Sequence, residues 1–301
     1  MRLITSIPPR FSRTDPRSGT EIGADYLASC LNSWKANGFD PVSINPSKEV
    51  DQVRALELPI EVIGIDNSEA FYPERGPCFG AAFDTLRTNE PVAFVNCDIY
   101  MLKAAHAADI ISSMAAGCFV TSWRTDIERL GCSLGREFKS GYDFMAFTPA
   151  TIPNAFHNKD FRKFQFGIPW WDYALPLLAQ RDVPLLRLAA PFIVHQAHPL
   201  AWSKQSFEQI GIQTGALLAQ ARPDAFQGAT HLSPHDLALR CIGILFKTPW
   251  PTLHMECETE PNFPTPLKLW VKPFAQQRKI VYRVRDQLRR LRRSLKTAST
   301  A

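Results

Sequence analysis

Apolar runs of four to six residues alternate with amphipathic segments through the first half of the chain. Leu3-Ile4-Thr5-Ser6-Ile7 reads as a buried strand, ended by Pro8-Pro9 because two prolines cannot continue a sheet interior. After a polar loop, Leu27, Leu31 and Trp34 recur at the spacing of one buried helical face and predict a helix over 23–37, with Asn37-Gly38 as its stop. A strand over 41–45, a helix over 48–56, a strand over 60–65 and a helix over 79–87 follow. Val92-Ala93-Phe94-Val95 is a strand apolar at every position, and a helix over 103–114 and a strand over 118–121 complete this half. Such alternation predicts parallel pairing with helices on both faces of one sheet.

The second half is less regular. Residues 142–147 are strand-like, 154–169 are loop-rich, and 172–180 are helical in pattern despite Pro176. Short strands over 185–188 and 192–194 deliver His195 and His198. Helices are expected over 203–221 and 234–246, and a proline-rich connection over 249–273 leads to a last, basic helix.

Composition narrows the function classes. The 301 residues, 45% hydrophobic and 21% charged, match an ordinary globular protein with one large core or two modest ones. No run of eighteen apolar residues occurs, and the opening residues lack a signal peptide's apolar stretch, so the expectation is a cytoplasmic protein. Seven scattered cysteines without a CxxC pair predict buried free thiols. The net charge of +5 is concentrated at the end: residues 281–301 hold seven Lys/Arg against Asp286 alone, leaving the body near neutral. A nucleic-acid-binding core carries its positive charge on its folded face, so no nucleic-acid partner is expected. Val281, Val284, Leu288, Leu291 and Leu295 form one apolar stripe amid these basic residues. That pattern suits residues 281–296 to an anionic membrane surface at the inner face, to a partner protein, or to packing on their own domain.

Three motifs carry candidate chemistry. Asn96-Cys97-Asp98 follows the fourth strand, and open α/β sheets bind ligands at the carboxyl ends of their strands. A carboxylate there can hold a hard divalent cation, while an Asn-x-Asp turn closing the strand accounts for the same triplet. His195-Gln196-Ala197-His198 offers two imidazoles for a metal, or ends a strand and meets a helix cap; one of the two is expected to be structural only, with His195 the favoured ligand because it directly follows the strand. Ser140-Gly141-Tyr142-Asp143-Phe144 and Pro169-Trp170-Trp171-Asp172-Tyr173 combine a small residue, flat aromatic faces and two acids. Asp172 equally suits a helix first turn, and the tryptophans equally suit a core. No GxGxxG and no GxxxxGK followed by Ser or Thr occurs, which removes the main support for dinucleotide and P-loop sites.

Taken in order, these elements resemble the GT-A type glycosyltransferases of the nucleotide-diphospho-sugar transferase superfamily, over roughly residues 1–210. Asn96-Cys97-Asp98 resembles their DxD motif, with Asn replacing the first Asp. The resemblance implies an α/β, GT-A (Rossmann-like) domain with a mixed, mainly parallel sheet. Its donor half would span about 1–125 and its acceptor half about 126–210. A helical and proline-rich extension (211–275) and a basic amphipathic tail (276–301) would follow.

It also implies a divalent metal, Mn2+ or Mg2+, on Asp98, His195 and His198. A nucleotide-sugar donor, UDP-sugar favoured, would be bound by Thr5, Ser6, Ile7, Arg10, Arg75, Asn96, Asp98 and Arg124. A glycan or lipid-linked acceptor, as in polysaccharide biosynthesis, would meet Gly141, Tyr142, Trp170 and Trp171. Asp172 is the candidate base for the acceptor hydroxyl, and Asp143 the second. Two alternatives stand beside this one: a non-catalytic GT-A-like scaffold, and a sugar-1-phosphate nucleotidyltransferase. The latter is expected to carry a glycine-rich basic loop after its first strand, where this chain has Ser6-Ile7-Pro8-Pro9-Arg10.

Overall fold

The computed structural model describes residues 1–131, 135–138, 140–198, 202–247, 250–255, 257, 286 and 290. In chain order its elements are β1 (Arg2–Thr5), α1 (Gly23–Ala36), β2 (Asp40–Pro46), α2 (Val50–Arg54), β3 (Glu61–Ile65), α3 (Phe79–Asp84), β4 (Val92–Val95), β5 (Ile99–Met101), α4 (Ala107–Ala115) and β6 (Phe119–Ile127). There follow β7 (Gly135–Phe138), β8 (Phe144–Phe147), α5 (Pro153–Phe156), α6 (Trp171–Ala179), β9 (Leu185–Gln196), α7 (Lys204–Ala221), α8 (Pro223–Phe226), α9 (Pro234–Phe246) and β10 (Thr252–Leu253).

All strands join one ten-stranded sheet in the order β10-β9-β6-β8-β4-β1-β2-β3, with β5 paired to β9 and β7 to β6. β10, β9 and β6 are mutually parallel, as are β4, β1, β2 and β3. β8 joins the two blocks and is antiparallel to both β4 and β6. The blocks therefore run the same way. The carboxyl ends of β1, β2, β4, β6 and β9 meet the amino end of β8 along one edge. The architecture is the expected α/β one: a mixed, mainly parallel open sheet flanked by helices.

Strand alternation explains why both faces are covered. Ile4, Phe94, Met145 and Leu185 face one layer, with Phe79, Phe83, Trp171, Leu175 and Leu218 of the helices. Leu3, Ala93, Val95, Phe144 and Leu186 face the other, with Leu27, Leu31 and Trp34 of α1 and Ile111 and Met114 of α4. Each large side chain so buried contributes about 1.5–3 kcal/mol. Trp34 is fully buried and donates its indole N–H to the Ile99 carbonyl at 2.7 Å. The predicted stop of α1 is present: Gly38 takes φ +80°, where a Cβ is disfavoured. The Asn37 side chain gives its amide hydrogen to the Ser33 carbonyl.

Besides β7 and β10, neither of which the sequence predicted, three strand features differ from the sequence expectation. β6 runs to Ile127 because Arg124 and Asp126 break the apolar pattern without breaking the ladder. Residues 185–196 form a single strand rather than two, with a register shift opposite Ser122 and Arg124. Pro191, which has no N–H to give to a ladder, falls in that bulge. β5 was not foreseen, being too short to show a period.

Side chains of α7 and α9 share the hydrophobic cluster that holds Ile4 and Phe94. The basic helix expected over 281–296 lies outside the described residues except Asp286 and Arg290. Most of the proline-rich connection lies outside them too. Among the described residues no helix is long and apolar enough to cross a membrane, and Cys30, Cys78, Cys97, Cys118, Cys241 and Cys257 are free thiols.

Candidate active site

The sheet register assembles the site. Ile99 of β5 pairs with His195 across an antiparallel ladder, which brings the preceding residue, Asp98, beside the end of β9. Asp126 of β6 is the parallel partner of the same His195. Asp98 Oδ2 consequently meets His195 Nε2 at 3.2 Å and His198 Nε2 at 3.1 Å. Both histidines reach Asp98, not one of the two. The ligating atoms of Asp98, His195 and His198 lie within 4.8 Å of one another. One carboxylate and two imidazoles are a sound donor set for a divalent cation.

Neighbouring side chains orient this set. Asp126 Oδ1 lies 2.9 Å from His195 Nδ1, and a carboxylate only accepts, so the ring carries a hydrogen on Nδ1; Nε2, which donates to Asp98, is the nitrogen that would ligate a cation once it gives up its own hydrogen. Burial works against charge on His195, but the bonds to Asp126 and Asp98 outweigh it and raise its pKa. Burial likewise opposes ionisation of Asp98. Hydrogen bonds from both histidines and the Arg13 charge prevail, and its carboxyl sits well below the usual range. Asp126 is lowered for the same balance of reasons, with Arg124 supplying charge. The Tyr26 hydroxyl donates to the Asp98 carbonyl at 2.9 Å and accepts from the Gln196 backbone N–H at 3.0 Å, tying α1 to both strand ends.

Sequence reasoning misses Arg13 and Asp126. The Arg13 side chain, only 5% exposed, places a guanidinium nitrogen 2.8 Å from Asp98 Oδ2. It packs 5.3 Å from the Phe11 ring centre and 5.2 Å from that of Tyr26. Nothing in a polar loop that also holds Arg10 and Arg17 marks it out. Asp126 had a readable signal: it lies two residues beyond Arg124, on the same face of a strand.

Across the edge, Asp143 and Asp172 approach from the amino end of β8 and the first turn of α6. Asp172 is half-buried, and burial, followed by the nearby charge of Asp143, pushes its pKa up to about 7. A Cβ on Gly141 would stand 2.5 Å from Asp172 Oδ2, so this glycine makes room for the carboxylate rather than for a sugar. Trp170 holds a left-handed backbone, φ +86°, at the start of α6. Its buried indole donates to the Phe207 carbonyl and stacks on the Phe207 ring at 4.8 Å, which holds this strained turn.

Several other expected contacts are also corrected. Trp170, Trp171 and Tyr142 lie in the core, so their faces do not line an acceptor surface; the Tyr142 hydroxyl donates to the Leu245 carbonyl. Asn96, expected to bind the donor, spends an amide hydrogen on Asp143 Oδ1 at 2.5 Å. Arg124 is engaged with Asp126 and Asp143, each at 2.8 Å, which leaves it holding carboxylates rather than a diphosphate. Arg75 is exposed beside Tyr72, and Arg10 is exposed in the loop after β1; neither is brought to Asp98.

Thr5, Ser6 and Ile7 do sit at the carboxyl end of β1. The Ile7 N–H donates to the Ser43 hydroxyl and its carbonyl accepts from the Asn45 amide; Thr5 and Ile7 are fully buried, and the Thr5 hydroxyl has no hydrogen-bond partner.

No protein-family model matches the chain, and no curated protein matches it. Among solved structures, it is similar to a Desulfovibrio desulfuricans G20 protein assigned as a nucleotide-diphospho-sugar transferase. That match has 12% identity and a TM-score of 0.37, covering 82% of this chain and 96% of that one. The galactosyltransferase LgtC, solved with donor and acceptor sugar analogues, matches at 10% identity and a TM-score of 0.31, covering 76% and 100%. The inositol-1-phosphate CTP transferase of T. maritima matches at 10% identity and 0.37, covering 72% and 96%. These neighbours have nucleotide-diphospho-sugar transferase-like folds. Likenesses of this size leave function to be read from the site.

Proposed function

We propose that the chain is a glycosyltransferase that moves a sugar from a nucleotide-diphosphate donor to the hydroxyl of a glycan or lipid-linked acceptor. The observation that carries this reading is the convergence of Asp98, His195 and His198 on one point of the carboxyl edge, with Asp172 on the same edge. These three side chains would hold a divalent cation. Two imidazoles beside one carboxylate favour manganese over magnesium, which prefers oxygen ligands. When bound, the cation neutralises charge on the departing diphosphate.

The chain's own residues account for the rest. Ser6 would face the nucleoside from the end of β1, with the fully buried Thr5 and Ile7 supporting it from the core. Asp126 keeps His195 in one tautomer, and Arg13 keeps Asp98 ionised. Asp172 takes the proton of the acceptor hydroxyl as its oxygen bonds to the anomeric carbon, and the bond from that carbon to the diphosphate oxygen breaks. A carboxyl with a pKa of about 7 is well matched to that transfer near neutral pH. Orientation of the two bound substrates supplies much of the rate.

A thermal-shift screen of nucleotide diphosphates, with and without manganese, tests the reading. A nucleotide that raises the melting temperature only with the metal supports it; indifference to every nucleotide under both conditions removes it. Release of pyrophosphate from a nucleoside triphosphate and a sugar phosphate would instead identify a nucleotidyltransferase. Nucleotide-sugar turnover that survives both chelator and Asp98→Ala would dissociate activity from this centre.

A further inference from the structure

Asp143 is gripped at both carboxylate oxygens. Asn96 donates to Oδ1 at 2.5 Å, Arg124 donates to Oδ2 at 2.8 Å, and the Asn96 backbone N–H also bonds the Asp143 carbonyl at 3.1 Å. Arg124 is itself fixed: Nε is spent on Asp126, and the guanidinium lies 3.9 Å from the Phe138 ring centre. Each oxygen thus has a donor of its own, one of them a cation, which fixes the carboxylate in place. Asp172 has no such partner in β6 or β8, and its carboxylate stands against the segment that carries Asp143: a Cβ on Gly141, two residues earlier, would lie 2.5 Å from Asp172 Oδ2.

Building on the transferase reading, we propose that Asp143 is a positioning residue, a fixed anion locked by Asn96 and Arg124 that governs how readily Asp172 takes the acceptor's proton. A carboxylate held in place beside a second carboxyl acts on it as a fixed source of field. The geometry also accounts for asparagine at position 96. An aspartate there would set two carboxylates 2.5 Å apart, so the residue is matched to Asp143 rather than to a cation.

The groups facing Asp172 are few. Asp143 raises its proton affinity and Arg124 of β6 lowers it. Tyr173 of α6 and Cys241 of α9 are both pushed up by burial and stay neutral. Among the described residues, the anion Asp143 and the cation Arg124 therefore predict opposite signs for their removal.

Carbon-13 NMR titration of the aspartate carboxyls in the full chain tests this, with Asp172→Asn assigning the resonance. Asp143→Asn should move the Asp172 midpoint down by on the order of one pH unit, and Arg124→Gln should move it up. Arg124→Lys should return it toward the wild-type value, and the acid limb of the kcat profile should follow each shift. A midpoint unchanged in Asp143→Asn, or displaced in the same direction by both variants, overturns the proposal. If Asp143→Asn does not fold, the Arg124→Gln and Arg124→Lys pair decides by the same sign rule. Opposed NMR shifts in a protein that transfers no sugar would sink the transferase reading while upholding the link between the two carboxyls.

Discussion

His195 stands opposite Asp126 in the parallel register of β6 and β9, and its Nδ1 meets that carboxylate at 2.9 Å. A ligand oriented from behind in this way loses both tautomer and basicity when the second shell is neutralised. Asp126→Asn should therefore weaken manganese binding about 10–100-fold while leaving the far-ultraviolet circular dichroism unchanged. Isothermal titration with manganese measures this, and an unaltered affinity would detach Asp126 from the centre.

Arg13 and Asp98 form a buried ion pair, with side chains 5% and 16% exposed. Asp98→Ala strands the cation, so chemical denaturation should show a loss on the order of 3 kcal/mol. The double variant Arg13→Met with Asp98→Leu removes both charges and should recover part of that loss. A double variant no more stable than Asp98→Ala would refute the ion-pair account.

Gly141 owes its identity to Asp172. A methyl group there would press on Oδ2 at 2.5 Å, while the backbone at this position does not require glycine. Gly141→Ala should thus displace the carboxylate and lower kcat about 100-fold with KM for the donor little changed. Steady-state kinetics with the identified donor decides. Wild-type turnover in this variant would mean Asp172 takes no part in the chemical step.

Asp172 also gives a pH signature to stability. Its pKa rises from 3.8 to about 7 on folding, so between those values the native state binds more protons than the unfolded chain. Its contribution therefore favours folding least at high pH: stability declines as pH rises from about 4 to about 7 and levels off above. Urea midpoints across this range should fall less steeply in Asp172→Asn than in wild type. Identical slopes in the two proteins would contradict the placement of this carboxyl.

Much of the scaffold was legible in the sequence because local patterns carried it. The apolar run Val92–Val95, the three-four spacing of Leu27, Leu31 and Trp34, and the Asn37-Gly38 stop each appear where expected. Asp98 and the two histidines were legible because each lies just beyond an apolar strand. What was hidden depends on contacts far apart in the chain. Arg13 meets Asp98 across 85 residues, Gly141 meets Asp172 across a helix start, and the Asn96 amide turns to Asp143 rather than outward. Trp170 and Trp171 resembled a sugar platform because flat apolar side chains look alike in a sequence whether they face a ligand or a core.

The reversed direction of β8 has a bearing on redesign. Asn96, Asp98, Asp126 and His195 come after or at the end of the strands that carry them, whereas Gly141 and Asp143 come before theirs. Insertions and exchanges upstream of β8 can accordingly vary one side of this edge while the opposite side keeps its register. The surroundings of Asp143 and the Asp98 cluster would then be separable targets for directed evolution.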